Sequence, residues 1–329
     1  MQYDALTRTL LQLLSDNGFH SGAELARRLG VSRTVIWKTV RALQQRGIEI
    51  AALSGKGYRV TQPVELLDET AIQSSLSSEA ARLIGALHIY DELDSTNTRL
   101  MRLAAEGAPS GAICLAETQT AGKGRTGRSW LSPLGANVYL SVLWRFDDHS
   151  LVAGLSLAVG VAAIRALDRV GVGGVGLKWP NDLLWEDLKL GGILLEVSGE
   201  AHGGCAVIVG LGVNRYIPPA VGSGIDQAWV DLATVAGASA PSRNRLVASI
   251  LSELLPLLND YRRTGLEPYL PEWRRRHRLT GRAVVVHQGD RETVGTVTDV
   301  TAEGLLVLTC KDGKRREFAS GDVRLRIAR

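Results

Sequence analysis

The chain has 329 residues, a formal net charge of +4, 45% hydrophobic and 22% charged residues, and a mean hydropathy of +0.04. That composition excludes fibrous, disordered and membrane classes: it suits two or three globular domains, and no apolar run approaches the ~20 residues of a membrane span. Three distant cysteines, Cys114, Cys205 and Cys310, exclude a disulfide framework and fit a cytoplasmic location, and the N-terminal run with Asp4 and Asp16 lacks a signal peptide's cleavage pattern.

The charge is segregated along the chain. Residues 1–62 carry 9 Lys/Arg against 4 Asp/Glu, residues 63–273 carry 16 against 23, and residues 274–329 carry 13 against 7. Basic ends around an acidic middle indicate modules with different partners, and a small basic head suits a polyanion. In the head, Leu6, Leu10, Leu13 and Leu14 share a helical face. Ser21 and Glu24 form a capping box that opens a second helix with Leu25 and Leu29 inward. Gly30-Val31-Ser32 is a tight turn, Ser32 caps a third helix with Ile36, Val40 and Leu43 on one face, and Gly47 ends it. This is a helix-turn-helix, and the third helix offers Ser32, Arg33, Thr34, Trp37, Lys38 and Arg41 to phosphates and base edges. Extended runs at 48–53 and 58–60 flank Ser54-Gly55-Lys56-Gly57, a hairpin with Lys56 and Arg59 at or beside its tip. The whole reads as a winged helix over residues 1–63, binding DNA as a dimer on a two-part site; packing against other domains is the competing use.

From residue 64 the pattern predicts a helix near 68–77, strands at 87–93, 113–117 and 137–144, a helix after Asp94-Ser95-Thr96-Asn97 running through Ala105, and a buried helix at 151–170. Strands near 176–179, 183–185, 192–197 and 206–212 follow, then helices near 243–264 and 267–276. Strands outnumber helices and recur as hairpins, so the class is α+β, a mixed sheet with helices on one side, over residues 64–278. The tail, residues 279–329, alternates apolar and polar positions between Gly289, Gly304, Gly313 and Gly321, as a small basic β-barrel would.

Four segments of the middle carry chemistry. Between Thr118 and Pro133 a long loop interleaves Gly122, Gly124 and Gly127 with Lys123, Arg125 and Arg128 and closes on Trp130. Glycines let backbone amides approach an anion, the cations offset a carboxylate and a phosphate, and the indole forms an apolar wall. Such a loop is expected to order around its ligand. Lys178-Trp179-Pro180-Asn181-Asp182 ends a strand with polar groups, Asp182 being a candidate magnesium or ribose contact. Lys189 stands before Gly191 and Gly192, as an anchored cation in a pocket would. Gly210 and Gly212 strip side chains from an apolar strand where something approaches its backbone. The literal G-x-G-x-x-G at 171–176 follows a helix and enters a strand, the reverse of a dinucleotide fingerprint, and joins the two.

In this order, with Gly55-Lys56-Gly57-Tyr58, Asp94–Asn97, Gly122–Trp130, Lys178–Asp182, Lys189–Ile193, Gly210–Asn214 and the basic tail, nearly the whole chain resembles the bifunctional biotin–protein ligase and biotin-operon repressor family. The resemblance implies a winged helix, a central catalytic domain and an SH3-like barrel. It implies activation of biotin with MgATP to biotinyl-adenylate and transfer to a lysine of a biotin carboxyl carrier domain. The adenylate-loaded homodimer would bind operator DNA and repress biotin synthesis. Ser95, Thr96, Asn97, Gln119, Gly122, Lys123, Gly124, Arg125, Gly192, Gly210 and Gly212 would surround biotin. Lys189 and Arg125 would act on the reacting oxygens. Arg128, Trp130, Lys178, Asn181, Asp182, Asn214, Trp229 and Arg326 would lie around the nucleotide. Lys123 stands where the family commonly has arginine, which keeps the charge and loses the planar fork.

The chemistry agrees with the residues. A carboxylate is a poor acyl donor until adenylated, and bringing it to an α-phosphate requires cations to screen two anions. No protein nucleophile is needed. Alternatives are a lipoate-type ligase, a ligase whose head does not bind DNA, and a non-enzymatic transcription factor.

Overall fold

A computed structural model of the chain describes residues 5–16, 18–148, 152–199, 204–320 and 323–327. The head comprises α1 (Ala5–Leu14), α2 (Gly22–Leu29), α3 (Arg33–Gln45) and a hairpin of β1 (Ile50–Leu53) and β2 (Gly57–Val60). Ser21 and Ser32 start α2 and α3 by accepting hydrogen bonds from the Glu24 and Val35 amides, which replace intrahelical acceptors that a first turn lacks. Leu10, Leu14, Leu25, Ile36, Val40 and Leu43 are buried together, as the periodicity requires; Leu11 joins them, and Leu6 and Leu13 are half-buried. Leu66 and Leu134 complete this core from outside the head.

The helix expected near 68–77 is two short ones, α4 (Glu69–Ser74) and α5 (Ser78–Leu83), because Ser77 caps the second through the Ala80 amide. Then come β3 (Ala86–Leu93), α6 (Thr96–Ala105), β4 (Ala112–Gln119), β5 (Val138–Phe146), α7 (Leu155–Arg169), β6 (Val175–Lys178), β7 (Asp182–Trp185), β8 (Leu188–Gly199) and β9 (Cys205–Val213). The short α8 (Pro219–Gly222) and α9 (Leu232–Ala236), which the sequence pattern did not reveal, precede α10 (Arg243–Thr264) and α11 (Leu270–Arg276). Among the described residues, seven strands form one sheet in the order β3-β4-β5-β9-β8-β7-β6, with only β3 and β4 parallel.

Alternation divides this sheet's faces. Val138, Leu140, Val142, Val207, Val209 and Leu211 join α7 and α10 in the main core. The opposite residues Cys114, Leu143 and Ile208 pack against Leu100 and Ala104 of α6. Helices therefore cover both faces, α6 alone on the second among the described residues, which corrects the one-sided arrangement expected. α6 covers only part of its face, and Gly210 and Gly212, in phase with Ile208, lie beyond it.

The tail forms β10 (Ala283–Gln288), β11 (Arg291–Val300), β12 (Leu306–Cys310), β13 (Arg315–Phe318) and β14 (Val323–Ile327) in an antiparallel sheet ordered β13-β12-β11-β10-β14. The sheet is SH3-like but open in the described residues, with β13 and β14 at its edges. Its inward Val284, Val286, Val297 and Leu308 continue the main core.

Candidate functional site

β3 delivers the chain to Asp94, whose carboxylate accepts from the Ser95 amide at 2.7 Å and pairs with Arg102 at 2.8 Å. Ser95 then caps α6 through the Thr98 amide. This turn places Ser95, Thr96 and Asn97, all buried, at the wall of a cavity of about 1400 Å³. The Thr96 amide donates to Gln119 Oε1 at 2.9 Å, and Gln119 Nε2 donates to Ser132 Oγ at 3.1 Å. Asn97 sits over Gly210, where an added Cβ would come within 2.2 Å of Asn97 Oδ1. That is the close approach for which the strand gives up a side chain.

The Gly122–Trp130 segment folds back on itself. Trp130 N donates to Gly122 O at 2.8 Å, Gly124 N to Arg128 O at 2.7 Å, and Lys123 bridges Ser129 across a single 3-10 turn at Arg125–Gly127. Gly122 is buried at the root of this fold, outside the cavity wall. The Trp130 ring lies over Gly192 and Gly212; a Cβ on Gly212 would sit 2.6 Å from it. Trp130 Nε1 is buried without a hydrogen-bond partner. Arg125 reaches Asn181 Oδ1 at 3.4 Å and the Ser320 carbonyl of the tail, so the loop touches the C-terminal sheet. Lys123 pairs with Glu196 at 3.4 Å. Arg128 is exposed at the rim.

Lys189 stands on β8 with Nζ 2.8 Å from Asp182 Oδ1 and 5.6 Å from the Trp130 ring centre. Lys178 approaches the other Asp182 oxygen at 3.7 Å. Asp182 is thus committed to two lysines, and among the described residues no group of three His, Cys, Asp or Glu is placed to hold a metal ion. The donor set does not fit Asp182 as a direct magnesium ligand, because its charge is already spent holding Lys189. The Lys189 backbone is fixed by Asn214 and by the segment around Trp229: Lys189 O accepts from Val230 N at 3.0 Å and Asn214 Nδ2 at 3.3 Å. Asn214 also donates to Val230 O, and Trp229 Nε1 donates to Gly222 O. Asn214's amide thus anchors Lys189, although both Asn214 and Trp229 also line the cavity.

All the biotin- and nucleotide-site residues named from sequence except Gly122 and Arg326 line this one cavity. Arg326 pairs with Val285 through its backbone in β14, and its side chain lies outside the described residues. Sequence reasoning missed Glu196 and Ser141, whose partners are Asn97 and Thr96, and missed Val285, His287 and Glu292, which the tail contributes to the cavity. Strand alternation in β8 places Glu196 in phase with Gly192, a charged residue on the ligand face, and was the available signal. No local pattern announces the tail residues.

On the head, Arg33, Thr34, Trp37, Lys38 and Arg41 are exposed on α3, with the Arg41 guanidinium 5.4 Å from the Trp37 ring centre. Ser32 is exposed too, its hydroxyl accepting from Val35. Lys56 is exposed at the hairpin tip. Arg59 differs from expectation: it is half-buried and lies over Phe19 at 4.6 Å, because Gly57 and Tyr58 turn β2 back against His20.

Three family models match in chain order: an HTH domain at residues 7–59, the biotin/lipoate A/B protein ligase family at 90–214, and the biotin protein ligase C-terminal domain at 280–326. The bifunctional ligase/repressor BirA of Salmonella typhimurium is 37% identical over 321 residues, covering 97% of each chain. The chain belongs to the BirA family. Its Escherichia coli BirA relative is 35% identical over 329 residues, 100% of this chain and 99% of that one. The BirA-family fold also aligns with a biotin protein ligase from Aquifex aeolicus solved in complex with biotin and ATP, at 25% identity and a TM-score of 0.63, over 74% of this chain and 99% of that one. The shared family accounts for a head, a ligase sheet and a tail in one chain.

Proposed function

We propose that the chain is an ATP-dependent biotin–protein ligase that forms biotinyl-adenylate, transfers biotin to a lysine of a biotin carboxyl carrier domain, and, loaded with adenylate, dimerises on operator DNA to repress biotin synthesis. The observation that carries this reading is one cavity with a neutral polar wall at Ser95, Thr96, Asn97 and Gln119 and a cationic wall at Lys189, Lys178, Arg125 and Arg128. A neutral wall suits an uncharged ureido ring, and a cationic wall suits a carboxylate meeting a phosphate.

In the first step a biotin carboxylate oxygen attacks the α-phosphorus of ATP, a P–O bond forms, and pyrophosphate leaves. Lys189, held by Asp182 and by backbone bonds on both sides, offsets the charge of the approaching oxygens. Arg125 and Arg128 neutralise phosphate oxygens, and Trp130 with Gly192 and Gly212 walls the reacting atoms from water. Magnesium arrives with the nucleotide as substrate. In the second step the neutral amine of the carrier lysine attacks the acyl carbon and AMP leaves; proximity supplies most of the advantage. The residue divisions 1–63, 64–278 and 279–329 are the modules we assign, and the cytoplasm, where ATP, carrier and operator meet, is the compartment.

Labelled biotin incubated with ATP, magnesium, this chain and a carrier domain tests the enzyme: label on the carrier lysine is expected, and its absence refutes the reading. Adenylate formed with lipoate but not biotin establishes the lipoate-type alternative. A gel shift of the chain's own biotin-locus promoter, at stated salt, appearing only with adenylate tests the repressor.

A further inference from the structure

Glu196 does not line the cavity, yet two of its partners do. It lies on β8 in phase with Gly192, across the strand from the core residue Ile193. Its carboxylate accepts from Asn97 Nδ2 at 2.8 Å and from Lys123 Nζ at 3.4 Å, and the other acceptor of Asn97 Nδ2, Leu194 O, is more distant at 3.3 Å. An ionised carboxylate only accepts hydrogen bonds, so Asn97 must turn its NH2 toward Glu196 and its carbonyl away. That carbonyl lies 2.6 Å from Ser141 Oγ, which must therefore donate.

Ser141 has one hydroxyl proton. Its second contact, 2.7 Å to Thr96 Oγ1, is therefore one in which Thr96 supplies the proton, since two hydroxyl oxygens that close without a shared proton would repel. Gln119 Oε1 also lies 3.2 Å from Thr96 Oγ1, but it already receives the Thr96 amide at 2.9 Å, and the Ser141 contact at 2.7 Å is the shorter and the one that requires the proton. The hydroxyl protons thus run one way, from Thr96 to Ser141 to Asn97, and the Asn97 amide passes the sense on to Glu196. Ser141 and Asn97 are almost fully buried, so no water shell resets the order. Thr96, its one proton used, presents only lone pairs to the cavity.

We infer that Glu196 is a positioning residue that sets the donor–acceptor sense of the ring pocket, making Thr96 an acceptor that selects a ligand ring N–H. The inference rests on the biotin reading above and deepens it. Discrimination of this kind is strong, because an isostere with an acceptor at that place meets lone pair against lone pair in a buried site.

The test is calorimetric titration of the full chain, without nucleotide, with biotin and with the two isomeric cyclic carbamates in which one ring N–H is replaced by oxygen. The unaltered protein is expected to prefer biotin over the poorer carbamate by at least about a hundredfold. Glu196→Leu leaves the Asn97 NH2 only its longer contact to Leu194 O at 3.3 Å, lets Asn97 and the two hydroxyls reverse, and should shrink that ratio at least about tenfold. Glu196→Gln keeps an acceptor and should keep the ratio. A ratio unchanged in Glu196→Leu, with all three ligands weakened equally, overturns the inference. So does loss of selectivity in Glu196→Gln, which would assign the effect to the charge opposite Lys123. If Glu196→Leu shows no cooperative melt, Ser141→Ala decides: it frees the Thr96 proton with Glu196 intact, and an unchanged ratio overturns the relay. Failure of the unaltered protein to bind biotin refutes the function reading and the inference with it; biotin binding with unaltered ratios refutes the inference alone.

Discussion

Gly212 is where a single atom decides whether the cavity exists in this form. Its absent Cβ leaves room for the Trp130 ring, and Gly212→Val puts methyl groups where the indole lies. Trp130 belongs to a loop and can move, so the melting temperature should change little, whereas biotin-dependent kcat/KM should fall about a hundredfold, as misplaced walls cost in a preorganised site. Unchanged kcat/KM would separate the indole from catalysis. Elsewhere one pair of residues is structural in the strict sense. Arg243 and Glu117 form a 2.6 Å ion pair with both side chains completely buried, and Glu117 also accepts from the Leu67 amide at 2.6 Å. Removing one partner strands a buried charge, so Glu117→Ala should lower unfolding free energy by about 3–5 kcal/mol in a denaturant titration. The pair joins β4, the start of α10 and the segment leaving the head, three pieces far apart in sequence. Nothing in the local sequence around Glu117 identified it as more than a strand residue.

At the scale of elements, strand period proved the most readable signal. Gly210 and Gly212 were recognisable as bare positions because they interrupt an apolar strand, and the α3 face was recognisable because Ile36, Val40 and Leu43 leave the cations outward. What periodicity could not give was the partner of each face: that α6 packs opposite α7 and α10, that Arg59 turns onto Phe19, or that β13 and β14 complete the tail sheet. These follow from packing between distant segments. The junction of β6, α11 and the tail is another such meeting. Trp179 N donates to His277 Nε2 at 3.3 Å, the His277 ring stacks on Trp273 at 4.4 Å, and Trp179 Nε1 donates to Gly304 O. Burial pulls the His277 imidazole from 6.5 down to about 4. Below pH 6.5 the unfolded chain takes up a proton that the folded chain refuses until about pH 4. Its stabilising contribution is therefore complete above pH 6.5 and lost as pH falls through that window, about 2 kcal/mol of it by pH 5. The melting temperature should drop more between pH 7 and pH 5 for the unaltered protein than for His277→Gln; equal drops would contradict this.

Across the whole molecule, the modules are joined by packing as well as by chain. The tail sheet shares the main core, Leu66 and Leu134 complete the head's core, and Arg8 of α1 pairs with Asp91 of β3 at 2.8 Å. A head fixed in this way can feel the ligase domain's ligand state, which is what a repressor governed by its own adenylate needs. Its exposed cations predict operator binding that weakens steeply with salt. Exchanging Lys38 for alanine should reduce the slope of log affinity against log salt by about one, as expected when one phosphate is no longer neutralised. A slope that does not change would remove Lys38 from the interface.

The most direct measurement is biotin-dependent exchange of labelled pyrophosphate into ATP, which reports the joining of the acid to AMP without any carrier. The unaltered chain should catalyse it, and Lys189→Ala, folded to the same melting profile, should lose about a hundred- to a thousandfold, the cost of removing a charge aimed at the transition state. Exchange that proceeds equally well without the Lys189 ammonium, or that never requires biotin, would contradict the account.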